Sequence, residues 1–104
     1  MVLYVCKWDI LPGKTQAYNE WSQTAMKQQF SVPGIKEFRG YRPVTGSHQI
    51  IVTYEFANFS AWATWVENET VQKVNQELRD YALNIEFDLL GPSPIVPEPI
   101  RFGG

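Results

Sequence analysis

The sequence predicts an α+β fold in the order β-α-β-β-α-β, a four-stranded antiparallel sheet carrying its helices on one face. Three observations predict it. Four stretches alternate apolar and polar residues with the period of a half-buried strand, and the stretches between them repeat apolar residues every three to four positions. Turn formers stand where the period changes.

The first strand is Val2 to Ile10, with Val2, Tyr4, Cys6, Trp8 and Ile10 on one side and Leu3, Val5, Lys7 and Asp9 on the other. Pro12-Gly13 ends it. From Lys14 to Phe30 an amphipathic helix follows, with Tyr18, Trp21 and Ala25 along one stripe among Gln, Asn, Glu and Lys. Pro33 stops it, because proline cannot donate to the helical ladder and pushes the residue before it out of the helical region. Ile35 to Pro43 is the second strand, an edge strand by its charge. Thr45-Gly46-Ser47 turns the chain into a third strand, His48 to Phe56, where Ile50, Val52, Tyr54 and Phe56 oppose Ile51, Thr53 and Glu55. Asn58 or Ser60 caps a short helix bearing Trp62, Trp65 and Val66, and Asn68 caps a longer one from Glu69 to about Ala82 with Val71, Val74, Leu78 and Tyr81 on its stripe. The fourth strand runs from Leu83 to Leu90, with Leu83, Ile85, Phe87 and Leu89 facing the helices. Residues 1–90 thus form a single ferredoxin-like domain. Residues 91–104 hold four of the seven prolines and read as an extended proline-rich arm.

Composition narrows the function classes. The 104 residues suffice for one domain, and 44% hydrophobic against 19% charged residues describes an ordered chain. A net charge of −2 gives no electrostatic footprint for nucleic acid or an anionic membrane. No run approaches the roughly 20 apolar residues of a membrane span, and the N-terminus lacks the pattern of a secretory signal. One cysteine, Cys6, leaves no intrachain disulfide, so a cytoplasmic setting is expected. The triplets at Asn58 and Asn68 that match glycosylation sites are accordingly read as helix caps.

The sheet face turned away from the helices mixes Leu3, Val5, Tyr41, Ile51 and Leu90 with Lys7, Asp9, Glu37, Arg39, Glu55, Glu86 and Asp88. A monomer could leave such a face in water, but it also suits a moderately wet homodimer interface, with the acids matched to Arg39 and Lys7 across it. If the acids outnumber their cations there, their pKa values rise and the dimer weakens as pH increases through them. The acidic excess also argues against a nucleic-acid surface.

Several local features carry a family resemblance. The first strand closes in Pro12-Gly13-Lys14 before a helix bearing Trp21, Val32-Pro33-Gly34-Ile35 leads into the second strand, and Tyr54-Glu55-Phe56 precedes a Trp-rich helix. Over residues 2–90 the chain resembles the dimeric α/β-barrel superfamily, in particular its antibiotic-biosynthesis-monooxygenase-like and NIPSNAP-like small proteins. The resemblance implies a homodimer joined through its open sheet faces, with a ligand cleft between sheet and helices in each subunit. It also implies one of two chemistries, cofactor-independent monooxygenation of polycyclic aromatic substrates or haem degradation. The second depends on a strand-1 Asn and a crossover His, and this chain has neither between Val2 and Ile10 or between Ser60 and Tyr81.

The expected ligand is therefore a small apolar or aromatic molecule, in a cleft lined by Trp8, Trp21, Tyr54, Trp62 and Trp65. Aromatics at helical spacing are ordinarily core, and the alternative is a non-catalytic dimeric interaction module in which all five simply pack. His48, the only imidazole, is the one acid/base candidate, although its place beside Gly46-Ser47 points to a solvent-exposed loop. Cys6 reads as a small buried apolar group, and no nearby base would activate it. No metal site and no cofactor are expected, since one His and one Cys cannot supply the usual nitrogen and sulfur ligands.

Overall fold

The computed structural model describes residues 1–103. Its elements are β1 (Val2–Ile10), α1 (Thr15–Phe30), β2 (Glu37–Tyr41), β3 (Ile50–Phe56), α2 (Phe59–Glu67), α3 (Glu69–Leu78) and β4 (Ala82–Leu90). The strands form one antiparallel sheet in the order β2-β3-β1-β4. This is the ferredoxin-like α+β arrangement expected from the periodicity, with β2 on an edge and the second crossover divided between α2 and α3.

The period-2 rule is obeyed closely in the central strand. Val2, Tyr4, Cys6 and Trp8 are buried while Leu3, Val5, Lys7 and Asp9 are only half-buried. Their partners on β3 follow the same phase, because Tyr4 pairs with Tyr54 and Val2 with Phe56. On the helical side α1 contributes Tyr18, Ala25 and Gln29 at seven- and four-residue steps, α2 contributes Trp65, and α3 contributes Val71, Val74 and Leu78. Phe56, Trp65 and Val71 are the most completely buried large side chains.

The element ends follow their caps. Asn58, not Ser60, caps α2 by accepting from the Ala61 N–H at 2.8 Å, and Asn68 caps α3 by accepting from the Thr70 N–H at 2.8 Å. The link from α1 into β2 turns through Gly34 at φ +127, a conformation that side chains rarely adopt. Both strands of the β2–β3 hairpin are shorter than expected. At the start of β3, Asp9 and Gln49 side chains take over from the ladder: the Gln49 N–H donates to Asp9 Oδ1 at 2.9 Å, and the Ile10 N–H donates to Gln49 Oε1 at 2.7 Å.

The fourth strand departs from its expected phase. It starts at Ala82, which the sequence reading gave to the preceding helix, and its pairing with β1 shifts register between Lys7 and Asp9. The extra residue is a β-bulge, with Asn84 at φ 54 in the left-handed region that Asn tolerates. Beyond the bulge the faces exchange. Ala82 is buried opposite Ile10, whereas Leu83, expected under the helices, pairs with Asp9 and is exposed on the open face. Ile85, Phe87 and Leu89 keep the expected side.

Residues 91–103 contain no helix or strand. They leave β4 past Phe59: a Cβ added at Gly91 would stand 2.9 Å from Phe59 Cζ. Pro92, Val96 and Pro97 then border a groove with Met1, Leu3 and Glu55.

Candidate functional site

A cavity of about 120 Å³ lies between the sheet and the helices. Its floor is Tyr4, Cys6 and Trp8 of β1 with Val52 and Tyr54 of β3, closed at the sheet edges by Phe38 and Phe87. Its roof is one stripe of α1 together with Trp65, Val74 and Leu78. The α1 stripe runs from Tyr18 through Trp21, Ser22, Ala25 and Met26 to Gln29. Eleven steps of about 1.5 Å make it about 16 Å long. Ala25 sits in its middle, and its methyl group leaves the space that a larger side chain would fill.

The wall indoles are held by hydrogen bonds. Trp8 Nε1 donates to the Tyr18 hydroxyl at 3.1 Å, Trp21 Nε1 to Glu77 Oε1 at 3.2 Å, and Trp65 Nε1 to the Gln29 carbonyl at 3.3 Å. Stacking fixes the ring planes: Trp21 lies on Tyr81 with centroids 5.0 Å apart, and Phe38 lies on Tyr54 at the same separation. The Tyr54 hydroxyl donates to Gln29 Oε1 at 2.9 Å, joining β3 to α1 across the buried end.

The cavity walls are electrically neutral. No Asp, Glu, Lys, Arg or His is among them. Burial raises the pKa of Tyr4, Cys6, Tyr18 and Tyr54, so all four are protonated near neutrality. Cys6 is thus the inert buried thiol that its place on the strand suggested.

Trp8, Trp21, Tyr54 and Trp65 come together around this space. Trp62 does not line it. A three-residue step on a helix turns the side chain by about 60° from full register, and Trp62 packs instead on Tyr4 at 5.6 Å, with its Nε1 buried and without a partner. Ala25 and Gln29 are wall residues that the sequence reading passed over. Their spacing of seven and eleven from Tyr18 placed them on the inner stripe, but a small residue and an amide do not announce a cavity.

His48 is elsewhere, at the far end of the sheet beside the bulge, and it is not the exposed loop residue expected. Its side chain is only 11% exposed. Its Nε2 lies 3.1 Å from the Asn84 carbonyl, so that nitrogen carries the proton, and Nδ1 faces the Ser47 hydroxyl at 3.2 Å. Glu86 Oε2 is 3.4 Å from Nε2. Bending at Asn84 brings that carbonyl to the imidazole, a contact between residues 36 apart in the chain.

Asp9 departs from the expectation for the open face. Asp9 has its pKa lowered, not raised, chiefly by the hydrogen bond from the Asn84 side chain at 2.9 Å and further by the Gln49 N–H. Lys7 pairs with Asp88 at 3.7 Å and Arg39 with Glu37 at 2.6 Å inside the chain. The proposed cations therefore have carboxylate partners already. Among the described residues no three His, Cys, Asp or Glu side chains converge as a metal site. No helix among them is long and apolar enough to cross a membrane.

The sheet, the helices on one of its faces and the aromatic cavity between them define a ferredoxin-like α+β protein. Solved structures share that fold. It is similar to SnoaB, a cofactor-independent oxygenase from Streptomyces nogalater, at 12% identity and TM-score 0.72 over 93% of this chain and 97% of that one. It is also similar to a dabb family protein with a ferredoxin-like fold from Mesorhizobium loti, at 11% identity and TM-score 0.78 over 88% and 96% of the two chains. HapK from Hahella chejuensis matches at 14% identity and TM-score 0.73, over 99% of this chain and all of that one. The chain shares with these structures the ferredoxin-like fold. No protein-family model matches the sequence, and no curated protein matches it.

Proposed function

We propose that this protein binds a small apolar or aromatic molecule in the cavity between sheet and helices, as a homodimer, and that cofactor-independent monooxygenation is the reaction class it serves. One observation carries the binding reading: three indoles, each oriented by its own hydrogen bond, surround an unfilled space, whereas a plain aromatic core would close on itself. The oxygenase reading draws on the fold shared with a cofactor-independent oxygenase.

The neutral walls define how such a reaction would have to run. Without a cofactor, the electrons that reduce oxygen come from the substrate after it loses a proton, and no wall group is ionised to take that proton. The substrate must then carry an acidic proton of its own and release it to water at the mouth, beside half-buried Ser22 and exposed Met26. The same observation favours the second reading, a non-catalytic binding module.

Oxygen uptake by the purified protein, measured beside a binding titration with hydroxylated aromatics, separates the two. Saturable binding with oxygen consumption supports the oxygenase, binding without it leaves the module, and no binding refutes the cavity reading. The dimer is tested at Ile51, half-buried at the centre of the open face. Ile51→Glu is expected to shift sedimentation equilibrium from dimer to monomer with the fold retained, and a monomeric parent protein would end the proposal.

A further inference from the structure

The size and polarity of the cavity select among ligands more narrowly than its aromatic lining does. An engineered cavity of about 150 Å³ accommodates benzene. The space here is about 120 Å³. The space is somewhat smaller but open on one side, so a single ring is the most it admits; fused rings would have to displace Trp8, Trp21, Tyr54 or Trp65, three of which are buried and all of which are tied by stacking or hydrogen bonds.

Charge narrows the class further. An ionised ligand would lose its hydration with no opposite charge to meet it. Two wall groups, both on α1, nevertheless keep hydrogens to donate. Tyr18 accepts from Trp8 at 3.1 Å, and its own hydroxyl proton meets no acceptor among the described residues. Gln29 spends its carboxamide oxygen on Tyr54 at 2.9 Å, which leaves its NH₂ as a donor. Ala25 lies between them and provides the seat for the ring.

Resting on the reading of this cavity as the ligand site, we propose that its ligand is a neutral, single-ring aromatic carrying a carbonyl or phenolic oxygen, packed over Ala25 and held through that oxygen by Tyr18 or Gln29. Fused polycyclic molecules, which the family resemblance suggests, are excluded by size. Anions of the same single-ring size are disfavoured on entry by charge.

Calorimetric titration of the full chain with three probes tests this. p-Cresol is expected to bind saturably, benzoate at least tenfold more weakly, and a tricyclic phenol not at all. Ala25→Leu is expected to abolish p-cresol binding while raising or holding the melting temperature, since the new side chain fills a void. Ala25→Val, with less added volume, serves if the leucine variant does not fold, and at least a tenfold loss is expected there. Binding of the tricyclic phenol without p-cresol overturns the size argument and leaves the cavity as a ligand site. Equal binding of benzoate overturns the charge argument. Unchanged p-cresol affinity in a folded Ala25 variant places the ring elsewhere and overturns the proposal, and failure of all three probes refutes both it and the cavity reading.

Discussion

Removing one oxygen atom from Tyr54 should cost more than its size suggests. Tyr54 is 4% exposed and Gln29 is 7% exposed, and the bond between them is a buried polar link from the sheet to α1. Tyr54→Phe deletes the donor and leaves Gln29 Oε1 in a site where protein, not water, surrounds it. A net hydrogen bond is worth about 1 kcal/mol, and an orphaned buried acceptor raises the loss to about 1–3 kcal/mol. With about 4–8 °C of melting temperature per kcal/mol in a domain of this size, the transition should move by an amount that any thermal scan resolves. Gln29→Leu should cost a similar amount by stranding the Tyr54 hydroxyl. The double variant removes both partners, so its cost should fall short of the sum of the singles by about 1–3 kcal/mol. Urea unfolding followed by tryptophan fluorescence measures all four proteins. A Tyr54→Phe midpoint equal to the parent's, or strictly additive singles, would refute the claim that this bond is buried and intact.

Other expectations follow from burial and charge. Phe56→Ala, at a side chain with no exposure, should cost about 3–5 kcal/mol in the same urea assay; a loss below 1 kcal/mol would mean that the centre of the core collapses around the gap or is misplaced. Tyr4, Tyr18 and Tyr54 have raised pKa values, so the stability they contribute is whole below the ordinary tyrosine value of about 10 and is lost as pH climbs beyond it. In an ultraviolet titration their ionisation should coincide with unfolding, and five tyrosines titrating together in a folded protein would contradict it. Asp9 is the opposite case: its contribution is present above the ordinary Asp value of about 3.9 and disappears as pH falls through its depressed folded value. Asp9→Asn should therefore flatten the acid limb of the stability profile, and an unchanged limb would show that the Asn84 and Gln49 bonds do not persist in solution.

The layered fold was legible because it rests on local periodicity, and Val2 to Trp8 shows it most plainly, each inward residue buried and each outward one less so. The caps were legible too, since an Asn side chain reaches only its own helix end. What escaped the sequence depends on contacts between distant segments. His48 is covered by residues of β4, and nothing near it in the chain announces that. Trp62 and Trp65 look equivalent at helical spacing, yet one faces the space under α1 and the other packs beside it on Tyr4. The bulge was invisible because Leu83-Asn84-Ile85 alternates as well as any regular strand, so the pattern alone could not show that an extra residue had reversed its phase.

That reversal bears on how this chain can be compared with others. A strand is a sequence with parity, and the left-handed turn at Asn84 changes the parity of everything before it in β4. Aligned without a gap to a relative that lacks the bulge, Ala82 and Leu83 would each be matched to a residue on the wrong face, and conserved inward positions would be scored as mismatches. Deleting the extra residue at the bulge would restore a regular strand with Leu83 still opposite Asp9 and Ala82 still opposite Ile10, whereas straightening the strand with every residue kept would turn Leu83 under the helices and Ala82 out. In this strand the count of residues matters more than their identity.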